Sequence, residues 1–190
     1  METRALFAGS QGGPSTTYWT TATGINASGH IVGDYSGPSR GSGFLYINGF
    51  YGTIDYPSAS AVQTIGMGIN GRGQIVGCYV EKGSNFLRGF LLSGGTYANI
   101  DYPSANQTIP WGINDNGQIV GSYGNSSGAG GFLYDSNSGN YTTLNLPWPI
   151  GLAGGINNNG QIVGGYQDGS GGHGFLYDPN SGTYLTLDFP

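Results

Sequence analysis

The stretch Gly112-Ile113-Asn114-Asp115-Asn116-Gly117-Gln118-Ile119-Val120-Gly121-Ser122-Tyr123 decides the fold. Short apolar runs flank Asn114 to Gly117, residues that accept positive φ and close a tight hairpin. Its opening triplet recurs at Gly24-Ile25-Asn26, Gly68-Ile69-Asn70 and Gly155-Ile156-Asn157, with the Ile residues spaced 44, 44 and 43 apart. Each copy continues into Gly-x-Ile-Val-Gly-x-Tyr, ending at Tyr35, Tyr79, Tyr123 and Tyr166.

Working outward, a Gly-Phe-Leu element begins at Gly43, Gly89, Gly131 and Gly174, and a fourth run ends at Pro57, Pro103, Pro147 and Pro190. The runs are short, rich in Ile, Val, Tyr and Phe, and bounded by Gly, Asn, Ser or Pro, which describes strands. Four strands per unit of about 44 residues point to an all-β fold, a four-bladed β-propeller of antiparallel four-stranded blades. The repeats run over about 15–58, 59–103, 104–147 and 148–190, one domain spanning 1–190. Thr3-Arg4-Ala5-Leu6-Phe7 resembles the third strand of a unit. It is either a strand that closes the ring or the remnant of a fifth unit, making the chain part of a five-bladed ring. Whether it pairs within its own chain or with another copy, as a homo-oligomer, stays open at this point.

Composition agrees. Gly (39) and Pro (9) make up about a quarter of the 190 residues, and inside a helix they cost about 1 and about 3 kcal/mol each relative to Ala. Without a period such a composition signals low complexity; the strict repeat and 13% aromatic content argue for a packed fold. Ten acidic residues against five basic ones give a net charge of −5, and no Lys/Arg cluster exists to follow a phosphate backbone, so no nucleic-acid partner is expected. The lone Cys78 forms no intrachain disulfide and supplies no ligand spacing. No segment is apolar for long enough to insert in a membrane as a helix, and Met1 to Ser10 lacks the apolar region of a signal peptide.

The fourth unit, with Gly155-Ile156-Asn157-Asn158-Asn159-Gly160-Gln161-Ile162-Val163-Gly164 and His173-Gly174-Phe175-Leu176-Tyr177, resembles the bacterial extracellular repeat family named HAF for its His-Ala-Phe tripeptide. The resemblance covers about Tyr18 to Pro190. Only the fourth unit keeps the His; Ser42, Arg88 and Gly130 replace it elsewhere, and Gly replaces Ala throughout. The resemblance implies a secreted or surface-associated protein and brings no catalytic residues with it.

Strand direction sorts the side chains. The tight Asn/Gly turns share one end of the units, and the longer, divergent links share the other, with Asp34, Arg40, Glu81, Lys82, Arg88, Asp168 and His173. Variable loops on a rigid scaffold are where function usually sits. His30 and His173 fall at opposite ends, roughly 15 Å apart along a strand, so no metal site is expected, and nothing calls for a cofactor. A catalytic site would draw on Glu81, Asp34, His173 and Arg88, as in a glycoside hydrolase or lyase. Asp55, Asp101 and Asp188 recur at one position, which suits a repeated structural device better than an acid/base pair. Tyr35, Tyr79, Trp111, Tyr123, Trp148 and Tyr166 offer flat faces with hydrogen-bonding tips, the complement of a sugar ring, and Arg40 adds a donor. The expected function is thus a secreted, lectin-like carbohydrate-binding module taking a glycan or other small polar ligand. The alternatives are an enzyme with one site on the propeller axis and a plain interaction scaffold.

Overall fold

The computed structural model describes residues 19–37, 40–145 and 150–189. These residues form sixteen strands and no helix. The first unit holds β1 (Trp19–Ile25), β2 (Ile31–Ser36), β3 (Gly41–Ile47) and β4 (Phe50–Ile54). The second holds β5 (Ala61–Ile69), β6 (Ile75–Glu81), β7 (Leu87–Ser93) and β8 (Thr96–Ile100). The third holds β9 (Gln107–Ile113), β10 (Gln118–Asn125), β11 (Gly128–Asp135) and β12 (Asn140–Leu144). The fourth holds β13 (Ile150–Ile156), β14 (Ile162–Gln167), β15 (Gly172–Asp178) and β16 (Thr183–Leu187). Within each unit consecutive strands pair antiparallel. A single parallel bridge, Gly41 to Gln63, ties β3 to β5, giving one eight-stranded and two four-stranded sheets.

The sequence motifs explain the local shape. In the first turn of each unit, Gly29, Gly73, Gly117 and Gly160 hold φ between 75° and 82°. The Asn of each Gly-Ile-Asn shapes that turn: Asn70 Oδ1 accepts from the backbone N–H groups of Arg72 (3.1 Å) and Gln74 (2.9 Å). The first strand of each unit then bulges against the second, a feature the alternation did not announce. The bulge drives a carbonyl into the glycine of Ile-Val-Gly. A Cβ on Gly77 would collide with the Ile65 carbonyl and, at 2.7 Å, with the Phe90 ring, so no other residue fits there.

The core lies between units. Val32, Leu45 and Ile54 of the first unit pack on Ile69, Ile75, Tyr79 and Phe90 of the second. Val76, Leu91 and Ile100 pack in the same way on Ile113, Ile119 and Phe132, and Val120 and Leu144 on Ile162, Tyr166 and Phe175. Each unit therefore has two distinct apolar faces: a rear one presented to the next unit and a front one presented to the unit before.

These strands do not form the expected closed ring. β1 packs on β5, β5 on β9 and β9 on β13, while no pairing or extended packing joins the fourth unit to the first among the described residues. A repeat in sequence specifies the unit but not the angle between successive units. That angle follows from how closely the first strands approach, and here glycine meets backbone: a Cβ on Gly68 would lie 3.0 Å from the Trp111 carbonyl and 3.3 Å from the Gly112 Cα. The expected closing strand at 3–7 lies outside the described residues.

Candidate functional site

Strand register decides which side chains meet at the loop-rich end. Gly43 pairs with Ile54, Gly89 with Ile100, Gly131 with Leu144 and Gly174 with Leu187. The start of the third strand in each unit thus lies beside the residue that follows the fourth. In the first unit Arg40 forms an ion pair with Asp55. In the second Arg88 Nη1 is 3.6 Å from Asp101 Oδ1, and in the fourth His173 Nδ1 is 2.7 Å from Asp188 Oδ1. The third unit has Gly130 and Asn145 in these places, having neither cation nor carboxylate. The carboxylate keeps one repeat position, while its cation stands directly before Gly-Phe-Leu in the second and fourth units and two residues earlier, at Arg40 rather than Ser42, in the first.

The fourth unit elaborates the pair. His173 Nε2 lies 3.0 Å from Ser170 Oγ and 3.2 Å from Asp168 Oδ1. Serine, histidine and aspartate are therefore in the spatial order of a nucleophilic triad. The protons argue otherwise. Ser170 donates its hydroxyl hydrogen to Asp168 Oδ1 at 2.6 Å, so toward His173 it acts as an acceptor. The hydrogen bond to Asp188 and its charge, with Asp168 behind them, raise the His173 pKa above its ordinary value. Hydrogen bonds from the Ser170 hydroxyl and N–H hold Asp168 down at about 2. Once protonated, the imidazole has an N–H to offer to each of two carboxylates, Asp188 at Nδ1 and Asp168 at Nε2, and stands at the repeat position of Arg88.

The remaining expected catalytic residues do not converge. Asp34 is a correction to the sequence reading: it sits inside β2, 5% exposed, where burial raises its pKa. Its equivalent Cys78 is fully buried, and burial, with the Asp34 charge second, pushes the thiol up to about 12. Glu81 ends β6 and accepts from Ser60 Oγ at 3.4 Å. No hydrogen bond or ion pair links any two of Asp34, Glu81, Arg88 and His173 among the described residues.

The tyrosines expected to face ligand are mostly occupied by each other. Tyr79 stacks on Tyr56 of the preceding unit, with centroids 3.7 Å apart and planes 5° from parallel. Tyr123 stacks on Tyr102 in the same way at 3.8 Å and 9°. Tyr56 also donates to Asn99 Oδ1, and Tyr102 reaches Thr143 Oγ1 at 2.5 Å. These rings seal the junctions between units. Tyr166 is buried and stacks on His173, with centroids 4.9 Å apart. Trp111 donates its indole N–H to the buried Ser122 Oγ at 3.0 Å. Tyr35 remains half-exposed, its hydroxyl 3.4 Å from Thr53 Oγ1. Trp148 lies outside the described residues.

No protein-family model and no curated protein sequence matches the chain. Among solved structures it is similar to TolB from Acinetobacter baumannii, with a TM-score of 0.70 at 13% identity over 89% of this chain and 43% of that one. Virginiamycin B lyase from Staphylococcus aureus follows with a TM-score of 0.43 at 14% identity, over 89% of this chain and 70% of that one. The fold is β-propeller-like. The chain spans less than half the length of the TolB structure it matches.

Proposed function

We propose that the chain is a secreted carbohydrate-binding module built as an arc of four propeller blades, with one shallow site per ion-paired unit. The observation that carries this reading is the recurrence of a partly exposed cation–carboxylate pair at one end of three units, with side-chain exposures of 42% and 32% for Arg40 and Asp55 and 42% and 41% for Arg88 and Asp101. A carboxylate accepts from neighbouring sugar hydroxyls, and a guanidinium donates to ring and hydroxyl oxygens in a fixed fork. Each site alone is weak, and repetition on one rigid face supplies avidity for a polymeric ligand. The similarity to TolB supports the arc, and the resemblance to the HAF repeats supports secretion.

Oligosaccharides titrated at millimolar concentration into labelled protein, followed by NMR, should shift resonances at Asp55, Asp101 and Asp188, and D55A, D101A and D188A should each remove one set. A panel of neutral and acidic oligosaccharides that shifts none of them overturns the reading. A second reading, a hydrolase, rests on the Ser170–His173–Asp188 order; turnover of an ester or glycoside that S170A abolishes would favour it.

A further inference from the structure

The three junctions between units use the same two faces, and among the described residues the array leaves one of each uncovered. On the rear face, Val32, Val76 and Val120 are each 0% exposed, whereas Val163 of the fourth unit is 46% exposed. Ile54 and Ile100 are 0% exposed and Leu144 6%, whereas Leu187 is 48% exposed. On the front face, Ile69 and Ile113 are 8% and 7% exposed, whereas Ile25 of the first unit is 67% exposed, although Phe44, the counterpart there of Phe90 and Phe132, is 5% exposed. Burial of apolar surface is favourable, and at both ends of the described array side chains of the junction type remain in solvent.

The polar and aromatic devices of the junctions stop at the same places. Asn26 Nδ2 donates to the Asn70 carbonyl at 2.9 Å, Asn70 Nδ2 to the Asn114 carbonyl at 2.9 Å and Asn114 Nδ2 to the Asn157 carbonyl at 3.0 Å. Asn157 Nδ2 donates to Gln161 Oε1 alone among the described residues, and no side chain of a preceding unit reaches the Asn26 carbonyl. Tyr56 and Tyr102 each stack on the tyrosine of the following unit. Phe189 holds their position in the fourth unit and is 100% exposed, while Tyr35 holds the receiving position in the first.

We infer that the uncovered rear face of the fourth unit docks on the uncovered front face of the first unit of a second copy of this chain, head to tail, with Phe189 stacked on Tyr35 and Asn157 bonded to the Asn26 carbonyl. The complementarity is demonstrated three times within the molecule, and a second copy supplies the missing partner at both ends. The contact is heterologous, so copies either close into a ring or extend, according to the rotation between them.

The test uses the full chain in sedimentation and light scattering over a range of concentrations. Assembly beyond the 19.7 kDa monomer is expected. V163D/L187D disables the rear face and I25D the front face; both sites are exposed in the single chain, and circular dichroism checks that each variant folds. Each variant alone should be monomeric, and an equal mixture should give a heterodimer, since one intact face of each kind remains. F189A should weaken self-association about tenfold. A wild-type chain that stays monomeric at high concentration overturns the inference, as does a mixture that fails to associate or a variant that assembles by itself.

Discussion

At the turn end of the array, Asn26, Asn70, Asn114 and Asn157 occupy one position in every unit, and the side chain of Asn70 uses all four of its hydrogen-bonding sites. It accepts from Arg72 and Gln74 and donates to Gln74 Oε1 and the Asn114 carbonyl. At the loop-rich end the paired positions read Ser42/Asp55, Arg88/Asp101, Gly130/Asn145 and His173/Asp188, and in the first unit Arg40, two residues before Ser42, supplies the cation. Where the repeat is strict, the asparagine of each of the first three units is bonded to its own turn and to the next unit; where it varies, the pair is partly exposed and a whole unit does without it. The first end holds the units together, and the second is where their side chains diverge.

Five substitutions sharpen this contrast. The largest effect is expected at Gly77, where alanine meets the Ile65 carbonyl and the Phe90 ring. G77A should destabilise the fold by about 3 kcal/mol in urea denaturation. G169A, in a loop with nothing within 4 Å of the added methyl, should stay within about 0.5 kcal/mol. Equal effects from the two would break the distinction.

Next comes N70A, which strands a turn and the buried Asn114 carbonyl and should cost about 2 kcal/mol. N157A, which lacks the bond to a following unit, should cost clearly less in the monomer. If it costs as much as N70A, the inter-unit ladder contributes nothing.

The smallest effect is in the pH dependence of the fourth unit. Because the folded His173 pKa lies above its unfolded value near 6.5, its contribution is complete below that pH and is lost as pH rises through the folded value. Asp168 has the opposite sign: its contribution is complete above about 3.8 and is lost as pH falls through about 2. H173Q should flatten the alkaline limb of a stability–pH profile. An NMR titration that finds His173 below 6.5 contradicts this direction.

Strands and turns were legible because glycine and asparagine leave a mark wherever positive φ or a tight hairpin is needed. The Tyr79–Tyr56 stack was not, since each tyrosine taken separately looks like a ligand platform, and only the geometry brings the two rings from adjacent units face to face. A signal did exist for two of the ion pairs: the charges at 88 or 173 and at 101 or 188 are lost together at Gly130 and Asn145, whereas Arg40 stands outside that register. Asp34 was misplaced at the solvated end because charge suggested exposure, whereas its register with buried Cys78 and Ser122 put it inside. Ring closure was out of reach, because a repeat of 44 residues carries no record of the angle between its copies.

The glycine-to-backbone approach of successive first strands has a consequence for how the protein melts and how it changes length. Gly24, Gly68, Gly112 and Gly155 set the spacing of the units without a side chain that names its neighbour, so each coupling is local and interchangeable. Amide exchange should therefore be fastest in the outer units and slowest in the middle two, fraying inward as a zipper does. By the same logic, deleting one cassette from Gly68 to Met67's counterpart Trp111 joins two surfaces that already fit, so length can change by whole units while the seam survives.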